Sequence, residues 1–206
     1  TVRAVHALNP GTGVELLIPD FDGRPDQLGP VFETHPEVLA HNVETVPSLY
    51  PIVRRGAKYA RSLDVLRHAK AYAPGSLTKS GIMVGHGETR DEVIATLRDI
   101  RAAGVDILTI GQYLRPTTGH LPLERYYTPD EFADMKREAL ALGFKHVESA
   151  PLVRSSYHAR DQVPGAELRN LRRRATLDAE GRVVPGAAAV PTDANQSAPC
   201  RAIRAR

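Results

Sequence analysis

Apolar positions recur along the chain at two different periods, and the change of period marks out its elements. Val93, Ile94, Leu97 and Ile100 follow the three-and-four spacing of a helix that buries one side. Thr89-Arg90-Asp91-Glu92 in front of them is a capping box. The threonine hydroxyl accepts from the third helical amide, and the glutamate reaches back to the Thr89 amide. Gly104 ends that helix. Thr128-Pro129-Asp130-Glu131 repeats the device with proline at the first helical position, Phe132, Met135, Ala139 and Leu142 make the stripe, and Gly143 is the stop. A third helix is predicted from about Tyr59 to Ala73, with Leu63, Leu66 and Ala69 inward and Pro74-Gly75 as terminator. Val2 to Leu8 reads as a short helix.

Between the helices lie apolar runs of strand length bounded by turn residues: Val14 to Ile18, Val38 to about Val43, Ser80 to Val84, Asp106 to Ile110 and His146 to Ser149. Their centres are roughly 25 to 40 residues apart, the length of one strand-and-crossover unit. The alternation predicts parallel strands covered by helices, either a β/α barrel or an open doubly wound sheet. From residue 160 the pattern dissolves. Residues 161–206 contain no Phe, Tyr or Trp, and they include Val184-Pro185-Gly186-Ala187-Ala188-Ala189-Val190-Pro191. Such a stretch buries too little apolar surface to offset chain entropy, so residues 160–206 are expected to be a disordered tail behind a folded unit of residues 1–159.

Composition changes this picture in three places. The 206 residues suffice for one domain with a core, with or without a tail, and not for two full-sized domains. The formal charge of +3 is located in the tail, where nine Lys and Arg stand against five Asp and Glu over residues 159–206. Residues 1–158 are therefore close to neutral and give no compositional argument for a nucleic-acid partner. No apolar run approaches the ~20 residues of a membrane span, so a cytoplasmic chain with no membrane partner is expected. The one cysteine, Cys200, excludes an intramolecular disulfide and any CxxC metal pair within this sequence.

In parallel β/α architectures chemistry gathers at the carboxyl ends of the strands. Here those ends carry Pro19-Asp20-Phe21-Asp22, His41-Asn42-Val43-Glu44-Thr45, Gly85-His86-Gly87-Glu88, Gly111-Gln112-Tyr113 and Arg154-Ser155-Ser156-Tyr157-His158. Asn42 and Glu44 alternate with Val43, which puts both on one face. An amide beside a carboxylate suits a vicinal diol, and it equally describes a buried polar pair satisfied by backbone. Gly81 inside a strand marks a place where a ligand or another backbone approaches closely. The eight histidines form no HxH or HExxH arrangement, so a zinc site has little support.

Five stretches taken together resemble one family. They are His41-Asn42-Val43-Glu44-Thr45-Val46-Pro47, Tyr59-Ala60-Arg61-Ser62-Leu63, Thr78-Lys79-Ser80-Gly81-Ile82-Met83-Val84-Gly85, Asp106-Ile107-Leu108-Thr109-Ile110-Gly111-Gln112-Tyr113-Leu114 and Arg154-Ser155-Ser156-Tyr157-His158. In this order they resemble lipoyl synthase, a radical S-adenosylmethionine (radical SAM) enzyme, over about residues 1–159. The resemblance implies an α/β fold, a partial (β/α) barrel truncated at the N-terminus. It implies insertion of two sulfur atoms into a protein-bound octanoyl chain, with S-adenosylmethionine and two 4Fe-4S clusters as cofactors. The implied partners are octanoylated lipoyl carrier domains, namely the glycine cleavage carrier protein and 2-oxoacid dehydrogenase acyltransferases, together with an iron-sulfur carrier protein; a monomer is expected. Asn42 and Glu44 match the pair that binds the ribose hydroxyls of S-adenosylmethionine, Arg61 an arginine facing its methionyl carboxylate, Gly81, Ile82 and Met83 the backbone near its adenine, and Ser156 the oxygen ligand of the auxiliary cluster. Both cysteine triplets of the family lie upstream of Thr1, so the expected reading is a fragment that is inactive alone. The alternative is a non-catalytic relic that docks a lipoyl carrier domain as a binding module.

Overall fold

The computed structural model describes residues 1–9, 11–163, 176–177 and 183–184. Five strands, β1 (Glu15–Leu17), β2 (Val38–Ala40), β3 (Leu77–Val84), β4 (Ile107–Gln112) and β5 (His146–Ser149), form one sheet in strict chain order, with every neighbouring pair parallel. A doubly wound sheet reverses its strand order at a switch point, and this one never does. Of the two architectures that the alternation allows, the molecule is the barrel kind: an α/β, partial β/α barrel.

Among the described residues six α-helices connect and flank the strands: α1 (Val2–Leu8), α2 (Pro25–Phe32), α3 (Tyr50–Val53), α4 (Tyr59–Tyr72), α5 (Arg90–Ala102) and α6 (Pro129–Ala141). Side chains alternate across a strand, so each face collects every second residue. Leu39 packs with Leu28, Phe32, Val65 and Ala69 of α2 and α4. Ile82, Val84, Leu108, Ile110 and Val147 pack with Leu63 and Leu66 of α4, Val93, Leu97 and Ile100 of α5, and Phe132 and Met135 of α6. The helices thus cover one face, and Lys79, Gly81, Met83, Thr109 and Gly111 are left for the other, inner face.

That inner face is layered along the strands. At its amino end Val38, Leu77 and Ile107 pack with Val163. One step on, the Lys79 side chain is wholly buried and its Nζ donates to Glu15 on β1 at 2.8 Å. The next step toward the carboxyl end holds Gly81 and Thr109, register partners on β3 and β4.

Both capping boxes form as the spacing predicts, Thr89 accepting from the Glu92 amide and Thr128 from the Glu131 amide. Gly104 and Gly143 follow with φ of +89° and +92°, the left-handed turn that a glycine makes without strain. Four features depart from the sequence expectation, the first being that β2 ends at Ala40 rather than near Val43. β3 begins at Leu77 rather than Ser80, since Lys79 is a buried strand residue that looks polar in sequence. α2 was not expected because Gly29 and Pro30 lie inside it and break its apparent period. The packed chain continues past 159: Gln162 and Val163 are buried. Of the expected disordered tail, Thr176–Leu177 (β6) pairs antiparallel with Val183–Val184 (β7), and the remainder lies outside the described residues. Among the described residues no helix is long and apolar enough to cross a membrane.

Candidate functional site

The site grows from an interruption in β2. The strand stops at Ala40, yet the chain rejoins β3 four residues later, where the Glu44 amide donates to the Gly81 carbonyl at 2.9 Å and the Met83 amide donates to the Glu44 carbonyl at 2.8 Å. Between these points Val43 is buried in the helix-side core. Its amide donates to the Ser80 hydroxyl at 3.3 Å and its carbonyl accepts from the Tyr50 hydroxyl at 2.7 Å. With Val43 held down, Asn42 and Glu44 both turn to the inner face. Glu44 reaches its position with φ of +73°, a left-handed conformation that costs a side-chain-bearing residue about 1–3 kcal/mol.

Asn42, Glu44, Gly81 and Met83 line one side of a cleft, and Thr109, Gly111, Arg154 and Ser155 the other. Asn42 Oδ1 is buried there without a hydrogen-bond partner. Burial pushes the Glu44 carboxyl up, and although the Arg54 cation and a hydrogen bond from Asn42 pull it back, the net displacement is upward. A methyl group added at Gly81 would lie 2.4 Å from Thr109 Oγ1 and 3.1 Å from Asn42 Oδ1, so only glycine leaves this hollow open. Gly111 does the same for the far wall. A methyl group there would lie 2.4 Å from the Val153 carbonyl, because the loop after β5 folds inward through Ala150 N to Ile110 O at 3.2 Å and Gln112 N to Pro151 O at 3.2 Å.

The expected site residues divide accordingly. Asn42, Glu44, Gly81, Ile82 and Met83 are brought together in this cleft. Arg61 is not among its lining residues. Its Nε donates to Asp20 at 2.7 Å, Nη1 lies 3.2 Å from Asp22 and Nη2 donates to the Gly56 carbonyl at 3.2 Å. Burial would raise the Asp20 carboxyl, but the Arg61 bond and cation hold it below its ordinary value. Ser156 is exposed on the turn after β5, whereas the preceding Ser155 faces the cleft. Thr109, Gly111, Arg154 and Ser155 were passed over as candidates. The sequence does mark Arg154 and Ser155 as part of a polar strand-end segment, and Gly111 as a second strand glycine near the register of Gly81.

The enclosed part of the cleft measures about 100 Å³, below the ~300 Å³ of ordinary small-molecule sites. A larger cavity of about 290 Å³ lies at the amino end of the strands. Its carboxylates are already partnered, Glu15 by Lys79 and Glu37 by His6 and the Val14 amide. Among the described residues no group of three or more His, Cys, Asp or Glu is placed to hold a metal ion.

With this geometry in view, a family model described as the Radical SAM superfamily matches residues 2–100. The chain is 57% identical over 181 residues to a lipoyl synthase of Rubrobacter xylanophilus, which covers 88% of this chain and 54% of that protein. A lipoyl synthase of Koribacter versatilis is 55% identical over 163 residues, 79% of this chain and 54% of the relative, and one of Halalkalibacterium halodurans 52% identical over 175 residues, 85% and 58%. Over the matched residues the chain corresponds in sequence to part of a lipoyl synthase. It spans about half the length of the curated relatives it matches. An orphaned amide oxygen beside a carboxyl group, over a glycine hollow, fits the ribose of the S-adenosylmethionine that the radical SAM name implies. The residues present do not fit a 4Fe-4S cluster. Such clusters take cysteine thiolates, and Cys200 is the one cysteine in the sequence.

Proposed function

We propose that this chain forms the S-adenosylmethionine-binding side of a lipoyl synthase acting on octanoyl chains carried by lipoyl carrier domains. The observation that carries the reading is the unpartnered, buried Asn42 Oδ1 beside the Glu44 carboxyl, in a cleft that Gly81 keeps open. The Glu44 carboxylate would accept a hydrogen bond from one ribose hydroxyl and the Asn42 Oδ1 from the other. The backbone of Gly81, Ile82 and Met83 would carry the adenosine beyond the sugar, with Gly111 and the Val153 to Ser155 loop as the far wall. What the cofactor supplies in this family is reductive cleavage to a radical that removes hydrogen from unactivated carbon.

The thiolates of both clusters come, on this reading, from outside these 206 residues, so the chain alone binds the cofactor and makes no lipoyl product. Ser156 as a cluster ligand and Arg61 as the carboxylate partner remain part of the proposal. For Arg61 this requires release from Asp20, the pairing it makes here. Two measurements test the reading. Equilibrium dialysis with labelled S-adenosylmethionine should detect binding, and Asn42→Ala with Glu44→Ala should weaken it by about 2–4 kcal/mol, the loss of two hydrogen-bonding side chains, one of them charged. Unchanged affinity in the double variant sinks the ribose assignment. Incubation of the chain with an octanoylated carrier domain should give no lipoyl group, and product formation would overturn the claim of inactivity.

A further inference from the structure

The turn that presents Asn42 and Glu44 is held from behind by the end of α3. Arg54, the residue that closes α3, donates from Nη1 to the Asn42 carbonyl at 2.9 Å. Its guanidinium lies 5.9 Å from the centre of the Tyr50 ring, and the Tyr50 hydroxyl donates to the Val43 carbonyl. The same hydroxyl lies 3.2 Å from Ser62 Oγ of α4, so Tyr50 is itself tied to the helix layer. Two consecutive carbonyls of a strained segment are therefore fixed by neighbouring side chains of one helical turn. Arg54 itself is not among the residues lining the cleft.

We propose that Arg54 is a positioning residue of the cofactor cleft: it acts through Glu44 and Asn42, keeping the carboxyl ionised and the pair aimed at the ligand hydroxyls. The proposal rests on the cofactor reading given above. Its electrostatic half follows from what surrounds Glu44. Burial disfavours the carboxylate, and the Arg54 cation is the largest influence opposing it, ahead of the Asn42 amide. From α3, Tyr50 is the other ionisable neighbour, itself pushed up by burial. β3 contributes Gly81, Ile82 and Met83 and β4 contributes Thr109 and Gly111, none of which titrates. The loop after β5 adds Arg154 on the far wall, and His41, next to Asn42, is buried with its proton affinity lowered. Arg54 is thus the cation that reaches Glu44 from behind the turn, and its positive end is fixed to the backbone of the residue that shares the task.

The experiment is a pH series of ligand affinity with the 206-residue chain. The probe is 5′-methylthioadenosine, which presents the ribose hydroxyls but carries no amino acid to titrate near neutrality. In the unsubstituted chain affinity should fall on the acid side as Glu44 gains its proton. Arg54→Gln keeps a donor for the Asn42 carbonyl and removes the charge. It should move that edge upward by about one pH unit, with about tenfold weaker binding below the edge and little change well above it. Arg54→Lys should leave the edge within half that distance of its original place. In a Glu44→Gln background Arg54→Gln should no longer move the edge. Thermal unfolding recorded on each variant confirms that it is folded. Uniform weakening at every pH, or an unmoved edge in folded Arg54→Gln, overturns the proposal. If Asn42→Ala with Glu44→Ala leaves binding of the probe intact, it is the cofactor reading that fails, and this inference falls with it.

Discussion

Gly81 shows how much can hang on one missing methyl group. Its neighbours, Thr109 Oγ1 and Asn42 Oδ1, belong to residues that line the cleft, so Gly81→Ala forces one of them aside. We expect this substitution to reduce affinity for S-adenosylmethionine at least tenfold in dialysis, while the far-ultraviolet circular dichroism stays native. Glu44 leads to a second prediction, of opposite sign for stability and binding. Its carboxyl value is raised above the ordinary 4.5 in the folded chain. Between 4.5 and that higher value the folded state holds more protons than the unfolded state, so stability falls as pH rises through this window and stays reduced above it. Glu44→Gln should therefore raise the unfolding temperature at pH 7 relative to the unsubstituted chain, with a smaller gain at pH 4, and weaken cofactor binding at the same time. A variant that is less stable at pH 7 would show that the carboxylate is better satisfied than its burial implies. Residue-scale chemistry was partly legible in the sequence. Asn42 and Glu44 stand out as a polar pair flanking an apolar residue at a strand end, and Gly81 as a glycine within a strand. Arg54 carries no such mark, because its role depends on a helical turn folding back over residues twelve positions earlier.

Elements were legible where their signals are local. Both capping boxes, both stop glycines and the apolar stripes of α5 and α6 can be read from adjacent residues, and all are present in the structure. β2 was read too long because its last residues pair with β3 only through a positive-φ turn, which no hydrophobic period encodes. The start of β3 was hidden by Lys79, a charged residue whose burial is explained only by Glu15, 64 positions away. Asp106 shows the same nonlocality at the scale of elements. It precedes β4, takes Lys70 Nζ from α4 at 2.7 Å and the Thr78 amide of β3 at 3.1 Å, and lies 3.4 Å from Lys145 ahead of β5. Burial alone would raise its carboxyl, yet the Lys70 bond and the Thr78 amide bring it below 3.8. Its contribution to stability is complete above that value and is lost as pH falls through its lower folded value. Asp106→Ala leaves Lys70 with the Ser76 carbonyl but no carboxylate, strands the buried Thr78 amide, and should cost about 3 kcal/mol in denaturant unfolding at pH 7. That cost should shrink toward pH 2, and a pH-independent loss would point to packing instead of charge.

At the scale of the whole molecule, the sequential sheet with helices on one face explains why the cleft exists. The turn after β2 brings Asn42 and Glu44, and the loop after β5 brings Val153 to Ser155, onto the inner face beside Gly81, Met83, Thr109 and Gly111, while Val163 packs at the amino end of that face. Among the described residues β1 is paired on one side only, with β2. Leu17 on this strand is 52% exposed, and Leu16 is half-buried beside it. A parallel edge with an open hydrogen-bonding side and an exposed leucine is a template for pairing with another chain. The 206-residue chain should therefore self-associate as its concentration rises, and light scattering should report a mass that increases with concentration. Leu17→Lys places a charge on the open edge without removing a buried contact, and it should restore a mass near 22.5 kDa over the same range while leaving cofactor affinity unchanged. If the unsubstituted chain stays at that mass at every concentration, the edge is protected in solution. If Leu17→Lys restores the mass but abolishes binding, β1 holds the cleft open through Glu15 and Lys79, and the edge and the site are one mechanical unit.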